Sequence, residues 1–185
     1  MYMKKLTVLL FAILITLGAY LGISQLRGNF HTVVEGELYR SGQLNDVQMA
    51  KYQRKYNIKT IINLRGDNHG KKWYDDEIQT SKQLGINHIN FRMSEKREFT
   101  KVQVEELVEI YKHAPKPILI HCRAGSDRTG LAAAVYIAKL SNEGEDEAED
   151  QLSIYYGHVS LPWASKHKMD FSWEALEPLL GYYDS

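Results

Sequence analysis

The sequence predicts an α/β fold, a single domain with a central, mainly parallel sheet flanked by helices and preceded by one N-terminal transmembrane helix. Short apolar stretches typical of buried strands alternate with longer amphipathic stretches typical of helices, and this alternation favours a parallel sheet. A chain of 185 residues is long enough for one such domain and an anchor. Residues 6–23 form an uncharged, apolar run whose composition differs from that of the rest of the chain.

The N-terminal segment predicts a single-pass membrane anchor. Residues 6–23 carry no charge, and a helix of this length spans about 27 Å, close to the ~30 Å hydrocarbon core of a bilayer. An uncleaved or cleaved secretory signal is the alternative, but its apolar region is normally ~7–15 residues long and ends at small residues. Lys4 and Lys5 precede the run, which favours a cytosolic N terminus and an extracytoplasmic, periplasmic-side domain.

We therefore divide the chain into an anchor at 1–23, a linker at 24–32 and a folded domain at 33–185. The chain has one cysteine, so it has no internal disulfide, which is compatible with an oxidising compartment. Its 23 basic and 23 acidic residues give no charge excess that would indicate nucleic-acid binding. No histidine or cysteine spacing is typical of a metal site.

The first half of the domain predicts a hairpin followed by alternating helices and strands. Val33-Val34 and Leu38-Tyr39 pair around a Glu35-Gly36 turn. Asn45 is a suitable N-cap for a helix that continues through Tyr56. The next three elements are a strand, a helix ended by Gly85 and a second strand, at residues 60–64, 73–84 and 86–91.

The second half continues the same alternation. Thr100 and Gln103 predict a capping box for a helix whose apolar face contains Val104, Leu107, Val108 and Tyr111. The remaining elements are a buried strand, a buried helix, an acidic amphipathic helix and a final helix interrupted by Pro178, at residues 118–120, 128–140, 145–156 and 169–183.

The segment from His121 to Gly130 connects the buried strand to the buried helix. Five residues separate Cys122 from Arg128. A loop of this length between a strand end and a helix start can surround one tetrahedral anion, because unpaired N–H groups and the helix dipole both favour negative charge. The same field favours the nucleophilic thiolate form of Cys122.

The residue types in this loop suit attack by a cysteine on a phosphate. Arg128 presents a planar fork that grips two phosphate oxygens, and Gly125 lets the backbone turn tightly. Thr129 has a hydroxyl that can donate to the departing sulfur. These roles suggest a phosphocysteine intermediate that is then hydrolysed. The expected phosphate-binding residues are Arg123, Ala124, Gly125, Ser126 and Thr129, and His121 is expected to support the loop from a buried position.

With this loop, the sequence resembles the protein tyrosine phosphatase superfamily, in particular bacterial dual-specificity phosphatase-like proteins. The resemblance extends to Tyr39–Gln43 (Tyr-Arg-Ser-Gly-Gln), Thr60–Gly66 and Tyr156–His158, and it covers about residues 33–180. It implies a phosphatase fold, phosphomonoester substrates and no metal or other cofactor. Some relatives carry a lysine where this chain has Ser126, and that departure weakens an inference to phosphoinositides.

The identity of the general acid is open between three carboxylates. Many members of the superfamily use an aspartate on a separate loop before the cysteine, but the matching stretch, 91–99, contains none. Asp127 is the favoured candidate, because some relatives carry an aspartate there that has been proposed as the proton donor. Glu95 and Glu98 are the alternatives. Asp127 also has a possible structural role, as a carboxylate that steadies Arg128 or the helix dipole.

Two functions follow from these observations. The first is a cysteine-dependent phosphatase acting on phosphotyrosine or phosphoserine/threonine protein or on a small phosphoester. The alternative is a catalytically weak module that binds phosphoprotein or phosphoinositide. A redox or sulfur-transfer enzyme is a third option, which the lack of a resolving cysteine opposes. The expected partners are the phosphorylated substrate and the membrane. Lys71-Lys72 and Lys96-Arg97 either rim the pocket or are ordinary surface charge. Arg123 either contacts a second phosphate or is a solvated residue at the rim.

Overall fold

The strands form one five-stranded sheet in the computed structural model, which describes residues 2–94, 96–159 and 168–182. The strands are β1 (His31–Val34), β2 (Leu38–Ser41), β3 (Thr60–Asn63), β4 (Asn87–Asn90) and β5 (Ile118–His121). Their order is β1-β2-β5-β3-β4, in which the β1–β2 hairpin is antiparallel and the other pairs are parallel. The predicted mainly parallel sheet is therefore confirmed.

The register of the sheet brings three strand ends to one edge. His121, the last residue of β5, lies opposite Ser41 of β2 and Asn63 of β3. Because carboxyl ends of parallel strands share an edge, the residues that follow these three strands are close together. The sheet thereby places the segment after β5 between the segments that follow β2 and β3.

Helices cover both faces of the sheet. The helices in the described residues are α1 (Tyr2–Leu26), which lies outside the sheet core, α2 (Asp46–Tyr56), α3 (Lys72–Gln83), α4 (Lys101–His113), α5 (Asp127–Leu140), α6 (Glu145–Glu149) and α7 (Lys168–Leu180). Alternate strand residues face opposite sides: Ile62 packs in the core that contains α4, α5 and α7, whereas Ile61 packs with α2. The predicted N-cap at Asn45 and the predicted capping box at Thr100 are both present, and Asn45 also forms a capping box, with Gln48.

Two details of the C-terminal prediction are wrong. The acidic helix predicted over 145–156 ends at Glu149, and two single turns of 3₁₀-helix follow at Asp150–Leu152 and Ile154–Tyr156. The physical reason is that the carbonyl of Gln151 accepts a hydrogen bond from Arg40 instead of from a later helical N–H. Pro178 lies inside α7 and does not interrupt it. Proline has no N–H, so the carbonyl four residues before it has no helical donor. Because Pro178 is on an exposed face of the helix, this carbonyl faces water. The predicted end at residue 183 is outside the described residues.

Helix α1 is exposed and, over Met3–Leu26, has a mean hydropathy of 2.4. Its length and composition are sufficient for a membrane span, and a signal sequence meets the same criterion. The sequence predicts a linker at 24–32. The residues of this range that follow α1 pack against the domain. The Gly28 carbonyl accepts from the Gly42 N–H at 2.8 Å, and the Tyr52 hydroxyl donates to the Arg27 carbonyl at 2.9 Å. Asn29 is 1% exposed.

Candidate active site

Cys122 begins a loop, residues 122–128, that runs from β5 into the first turn of α5; we call it the Cys122 loop. The cysteine is buried, and its Sγ accepts a hydrogen bond from the Gly125 N–H at 3.3 Å. Gly125 has a φ of +78°, and a Cβ there would lie 2.5 Å from the backbone nitrogen of Gly42. The conformation and the close approach to the end of β2 both require glycine at this position.

The carbonyl groups of residues 123–126 all point outward from the loop to donors on other segments. The donors are the Gln43 N–H to Arg123 at 3.1 Å, Asn29 Nδ2 to Ala124 at 2.9 Å, and Arg40 Nη2 to Gly125 at 2.9 Å and Ser126 at 3.2 Å. In a planar trans peptide the N–H points opposite to the carbonyl. The N–H groups of residues 124–127 therefore point to the inner side of the loop, as the Gly125 N–H to Cys122 Sγ contact illustrates.

Arg40 supports the loop from behind. Its side chain is fully buried, and Nη1 donates to the carbonyl and the side-chain oxygen of Gln151 at 2.8 and 2.9 Å. The guanidinium lies 3.8 Å from the centroid of the Tyr156 ring. Burial lowers the pKa of Arg40 to about 10, against the attraction of Tyr156, Cys122 and Asp127. Arg40 therefore remains a cation at neutral pH and favours negative charge on the Cys122 loop.

His121 is held by a buried carboxylate. Its Nε2 lies 3.1 Å from Oε1 of Glu77, which also contacts His88 Nε2 at 2.7 Å. Burial alone raises the pKa of Glu77, but His121 and His88 outweigh this effect and hold the pKa well below its usual value. Nδ1 of His121 lies 3.2 Å from the Cys122 carbonyl oxygen. Glu77 on α3 thus fixes the ring that contacts the backbone at Cys122.

Asp127 lies in the first turn of α5 and contacts a buried histidine. His158 Nδ1 is 2.8 Å from Asp127 Oδ1, and His158 Nε2 is 2.9 Å from Asp170 Oδ1. Burial opposes protonation of His158, but the hydrogen bonds to both carboxylates raise its pKa. His158 consequently lies between two aspartates that favour its protonated form, and one of them directly precedes Arg128.

A cavity of about 550 Å³ opens in front of the Cys122 loop, and we call it the cationic cavity. Its lining includes Arg123 and Arg128 of the loop, and Glu98 of the segment before α4. The other lining residues are Arg65, Asn68, Arg92, Met93, Ser94, Lys96, Arg97, Phe99, Thr100 and Gln103. The alternative acid Glu95 falls outside the described residues.

The structure adds site residues that the sequence reasoning did not assign. Arg40, Glu77, Asn29 and His158 contact the Cys122 loop or its neighbours, and Arg65 lines the cationic cavity. Two of these residues could have been recognised from the sequence. Arg40 is a charged residue inside a predicted strand, and Arg65 directly follows a predicted strand, at the edge of the sheet where ligands bind. Glu77 and Asn29 carry no comparable signal.

Two further observations concern the chemistry of the site. The Thr129 hydroxyl is buried and has no hydrogen-bond partner within the described ranges. Those ranges also contain no group of three or more histidine, cysteine, aspartate or glutamate side chains arranged to hold a metal ion. The residues around Cys122 are instead donors and cations, which bind an anion directly.

Comparisons with known proteins agree with this arrangement. A family model described as "Tyrosine phosphatase family" matches residues 21–153. The human dual specificity protein phosphatase CDC14C is 32% identical over 89 residues, which are 48% of this chain and 18% of that protein. The chain thus spans less than a fifth of this curated relative.

Two solved structures show the same fold at low sequence identity. The core catalytic domain of the PP-IP phosphatase Siw14 from S. cerevisiae, in complex with citrate, has a TM-score of 0.62 and 22% identity, covering 83% of this chain and 91% of that one. TpbA from P. aeruginosa, in complex with pTyr, has a TM-score of 0.61 and 18% identity, again covering 83% and 91%. At these identities the similarity establishes the fold.

Proposed function

The chain belongs to the tyrosine phosphatase family, and from that premise we propose that it hydrolyses phosphomonoesters with Cys122 as the nucleophile. The observation that carries the proposal is the set of four outward carbonyls at residues 123–126, which turns the N–H groups of residues 124–127 toward the sulfur. These N–H groups, the start of α5 and the buried cation of Arg40 all favour the thiolate form of Cys122.

The first proposed step transfers the phosphoryl group to sulfur. Cys122 attacks phosphorus, a sulfur–phosphorus bond forms, and the bond from phosphorus to the leaving oxygen breaks. The phosphate oxygens accept hydrogen bonds from the loop N–H groups and from Arg128, which lines the cationic cavity. Asp127 donates its proton to the leaving oxygen, so that the alcohol departs neutral.

The second proposed step hydrolyses the phosphocysteine. Asp127, now a carboxylate, takes a proton from water as the water oxygen attacks phosphorus, and the sulfur–phosphorus bond breaks to release inorganic phosphate. The departing sulfur returns to the thiolate form. The Thr129 hydroxyl is buried and has no hydrogen-bond partner within the described ranges. In the proposed step it turns to donate to this sulfur, which makes the sulfur a better leaving group.

Asp127 is the proposed acid because of its position in the Cys122 loop. It directly precedes Arg128, and His158 contacts its carboxylate at 2.8 Å. Glu98 remains the competitor, because it lines the cationic cavity. The pH dependence of kcat for Asp127→Asn and Glu98→Gln decides between them: the variant that removes the acid loses the decline in rate at high pH. A decline that survives in Asp127→Asn contradicts this assignment.

The proposed substrates are phosphotyrosine or phosphoserine/threonine proteins or a small phosphoester, and the test uses the full chain in detergent. We expect hydrolysis of an aryl phosphate without added metal, inhibition by vanadate, and no activity in Cys122→Ser. Arg54→Gln, which changes an exposed arginine on α2, is the control and retains activity. Turnover no higher than that of Cys122→Ser contradicts the proposal. Binding of a phosphopeptide without release of phosphate instead supports a binding module.

We also propose that α1 anchors the enzyme in a membrane with the catalytic domain on the extracytoplasmic side. The apolar stretch Met3–Leu26 supports the span, and Lys4 and Lys5 support the orientation. In a bacterial host, a C-terminal reporter that is active only outside the cytosol is expected to be active and to stay with the membrane. Release of the reporter into the soluble fraction indicates a cleaved signal.

A further inference from the structure

The cationic cavity carries more positive charge than one phosphate requires. Its described lining has six cationic side chains and one carboxylate, that of Glu98. The cations are Arg65, Arg92, Lys96, Arg97, Arg123 and Arg128. Even when the proposed Cys122 thiolate is counted, four positive charges remain in excess, whereas a phosphomonoester brings about −1.5 to −2 at pH 7. A single phosphate at the Cys122 loop therefore leaves about two positive charges of the described lining without a counter-charge.

These cations also differ from the charged residues elsewhere on the surface. Lys72, Lys101 and Lys112 form ion pairs with carboxylates three or four residues away on their own helices. Within the described ranges, no such pair involves Arg65, Arg92, Lys96, Arg97 or Arg123. Like charges gathered around one cavity without carboxylate partners repel each other, and an anionic ligand relieves that repulsion.

Arg65 is the best positioned of the outer cations. Its guanidinium lies 3.3 Å from the centroid of the Trp73 ring, and Nη1 donates to Gln43 Oε1 at 2.7 Å. Gln43 also donates through its backbone to the Arg123 carbonyl. Burial and the neighbouring charge of Arg128 lower the pKa of Arg65. The contacts with Trp73 and Gln43 hold Arg65 in one orientation beside Arg128. This arrangement suits planar recognition of a second anion.

The size and polarity of the cavity indicate the kind of molecule that fits. A volume of about 550 Å³ falls in the ~300–1,000 Å³ range of sites that enclose a whole small molecule. The only large apolar side chains in its described lining are Met93 and Phe99, both nearly buried. An aromatic ring of a phosphotyrosine would find little apolar surface here, whereas a polar, multiply charged group would find donors on several sides.

We propose that the cationic cavity binds a second phosphate of the substrate, so that the preferred substrate is a polar phosphomonoester, free or as a lipid headgroup, that bears at least two phosphates. The inference rests on the proposed function, because the first phosphate occupies the Cys122 loop. Arg65 and Arg92 hold the second phosphate. The segment from Lys96 to Arg97 adds long-range attraction at the cavity rim.

The test compares matched substrates with the full chain in detergent. The substrates are inositol monophosphate, inositol bisphosphate and a phosphatidylinositol bisphosphate in vesicles of a neutral phospholipid. We expect kcat/KM to be about tenfold or more higher for the bisphosphate than for the monophosphate, with a preference that declines as salt rises. If the soluble and vesicle bisphosphates are hydrolysed at similar rates, the headgroup is sufficient for recognition. If only the vesicle form is hydrolysed, the substrate is a lipid.

Variants then locate the second site. Arg65→Gln and Arg92→Gln are each expected to reduce kcat/KM for the bisphosphate about five- to tenfold more than for the monophosphate, chiefly through KM. Arg92 is exposed, so its variant stays folded even if Arg65→Gln does not. Arg54→Gln is the matched control, expected to alter neither rate. Equal, measurable rates for the two soluble substrates, or equal losses on both, overturn the second site. Absence of turnover on every substrate, aryl phosphate included, overturns the proposed function itself.

Discussion

The two sides of the Cys122 loop are built differently. Behind the loop, Arg40 and Asn29 are buried, and Arg40 Nη2 and Asn29 Nδ2 donate to loop carbonyls, while Arg40 Nε has no partner among the described residues. In front of it, Arg92 and Arg97 are exposed, and neither forms an ion pair within the described residues. A buried polar group stabilises only when it is paired, whereas an exposed cation costs little to hold unpaired. The back therefore fixes the shape of the loop, and the front is available for ligand.

The strongest test of this comparison is Arg40→Met. Removing the guanidinium leaves the carbonyls of Gly125 and Gln151 without a donor, at about 1–3 kcal/mol each when they stay buried, whereas the Ser126 carbonyl keeps the Gly130 N–H. We expect the free energy of unfolding to fall by about 3–5 kcal/mol, and phosphatase activity to be lost. Denaturant unfolding of the full chain in detergent measures the change. A matched substitution of the exposed Arg54, Arg54→Met, is expected to change stability by less than about 0.5 kcal/mol, and a similar loss in both variants contradicts the comparison.

The next largest effect is expected at Asn29. Its Nδ2 donates to the carbonyls of Ala124 and Tyr156, both at 2.9 Å, and its backbone φ is +47°. Asn29→Gly keeps this backbone conformation accessible and removes the donor, so that stability falls by about 1–3 kcal/mol. Activity on an aryl phosphate falls as well, because the Ala124 carbonyl opposes the Gly125 N–H that contacts the sulfur.

Asn57 provides the control for this experiment. It also has a positive φ, +54°, but it is exposed at the end of α2 and far from the Cys122 loop. Asn57→Gly is expected to change the free energy of unfolding by only a few tenths of a kcal/mol and to leave activity unaltered. Equal effects of the two glycine variants on activity would show that Asn29 does not position the loop.

The contrast also explains how much of the site the sequence discloses. The Cys122 loop and the two capping boxes are local patterns, in which spacing alone brings the groups together. The supports behind the loop depend on contacts between distant residues: 85 positions separate Arg40 from Gly125, and 95 separate Asn29 from Ala124. Hydrophobic periodicity contains no information on such pairs. The same cause accounts for the wrongly predicted helix over 145–156, whose Gln151 carbonyl is bound by Arg40.

A smaller, pH-dependent effect is expected from His158, which lies beside the loop between Asp127 and Asp170. Its pKa is raised in the folded protein. The stabilisation is therefore complete below the unfolded pKa of ~6.5 and is lost as pH rises through the folded value. We expect His158→Gln to destabilise the protein more at pH 6 than at pH 9. The exposed His113→Gln is the control, and a loss that is independent of pH contradicts an imidazolium at this position.

The smallest effect on stability is expected in front of the loop, at Arg92. This side chain is exposed and shares the cationic cavity with five other cations, so its removal relieves repulsion and costs no described ion pair. Arg92→Gln should therefore change the free energy of unfolding by less than about 0.5 kcal/mol, while the salt dependence of bisphosphate KM becomes shallower. Unfolding curves and KM at two salt concentrations give both quantities. If Arg92→Gln instead lowers the free energy of unfolding strongly and leaves the salt dependence of KM unchanged, Arg92 stabilises the fold as Arg40 does. The proposed difference between the two sides of the Cys122 loop would then be wrong.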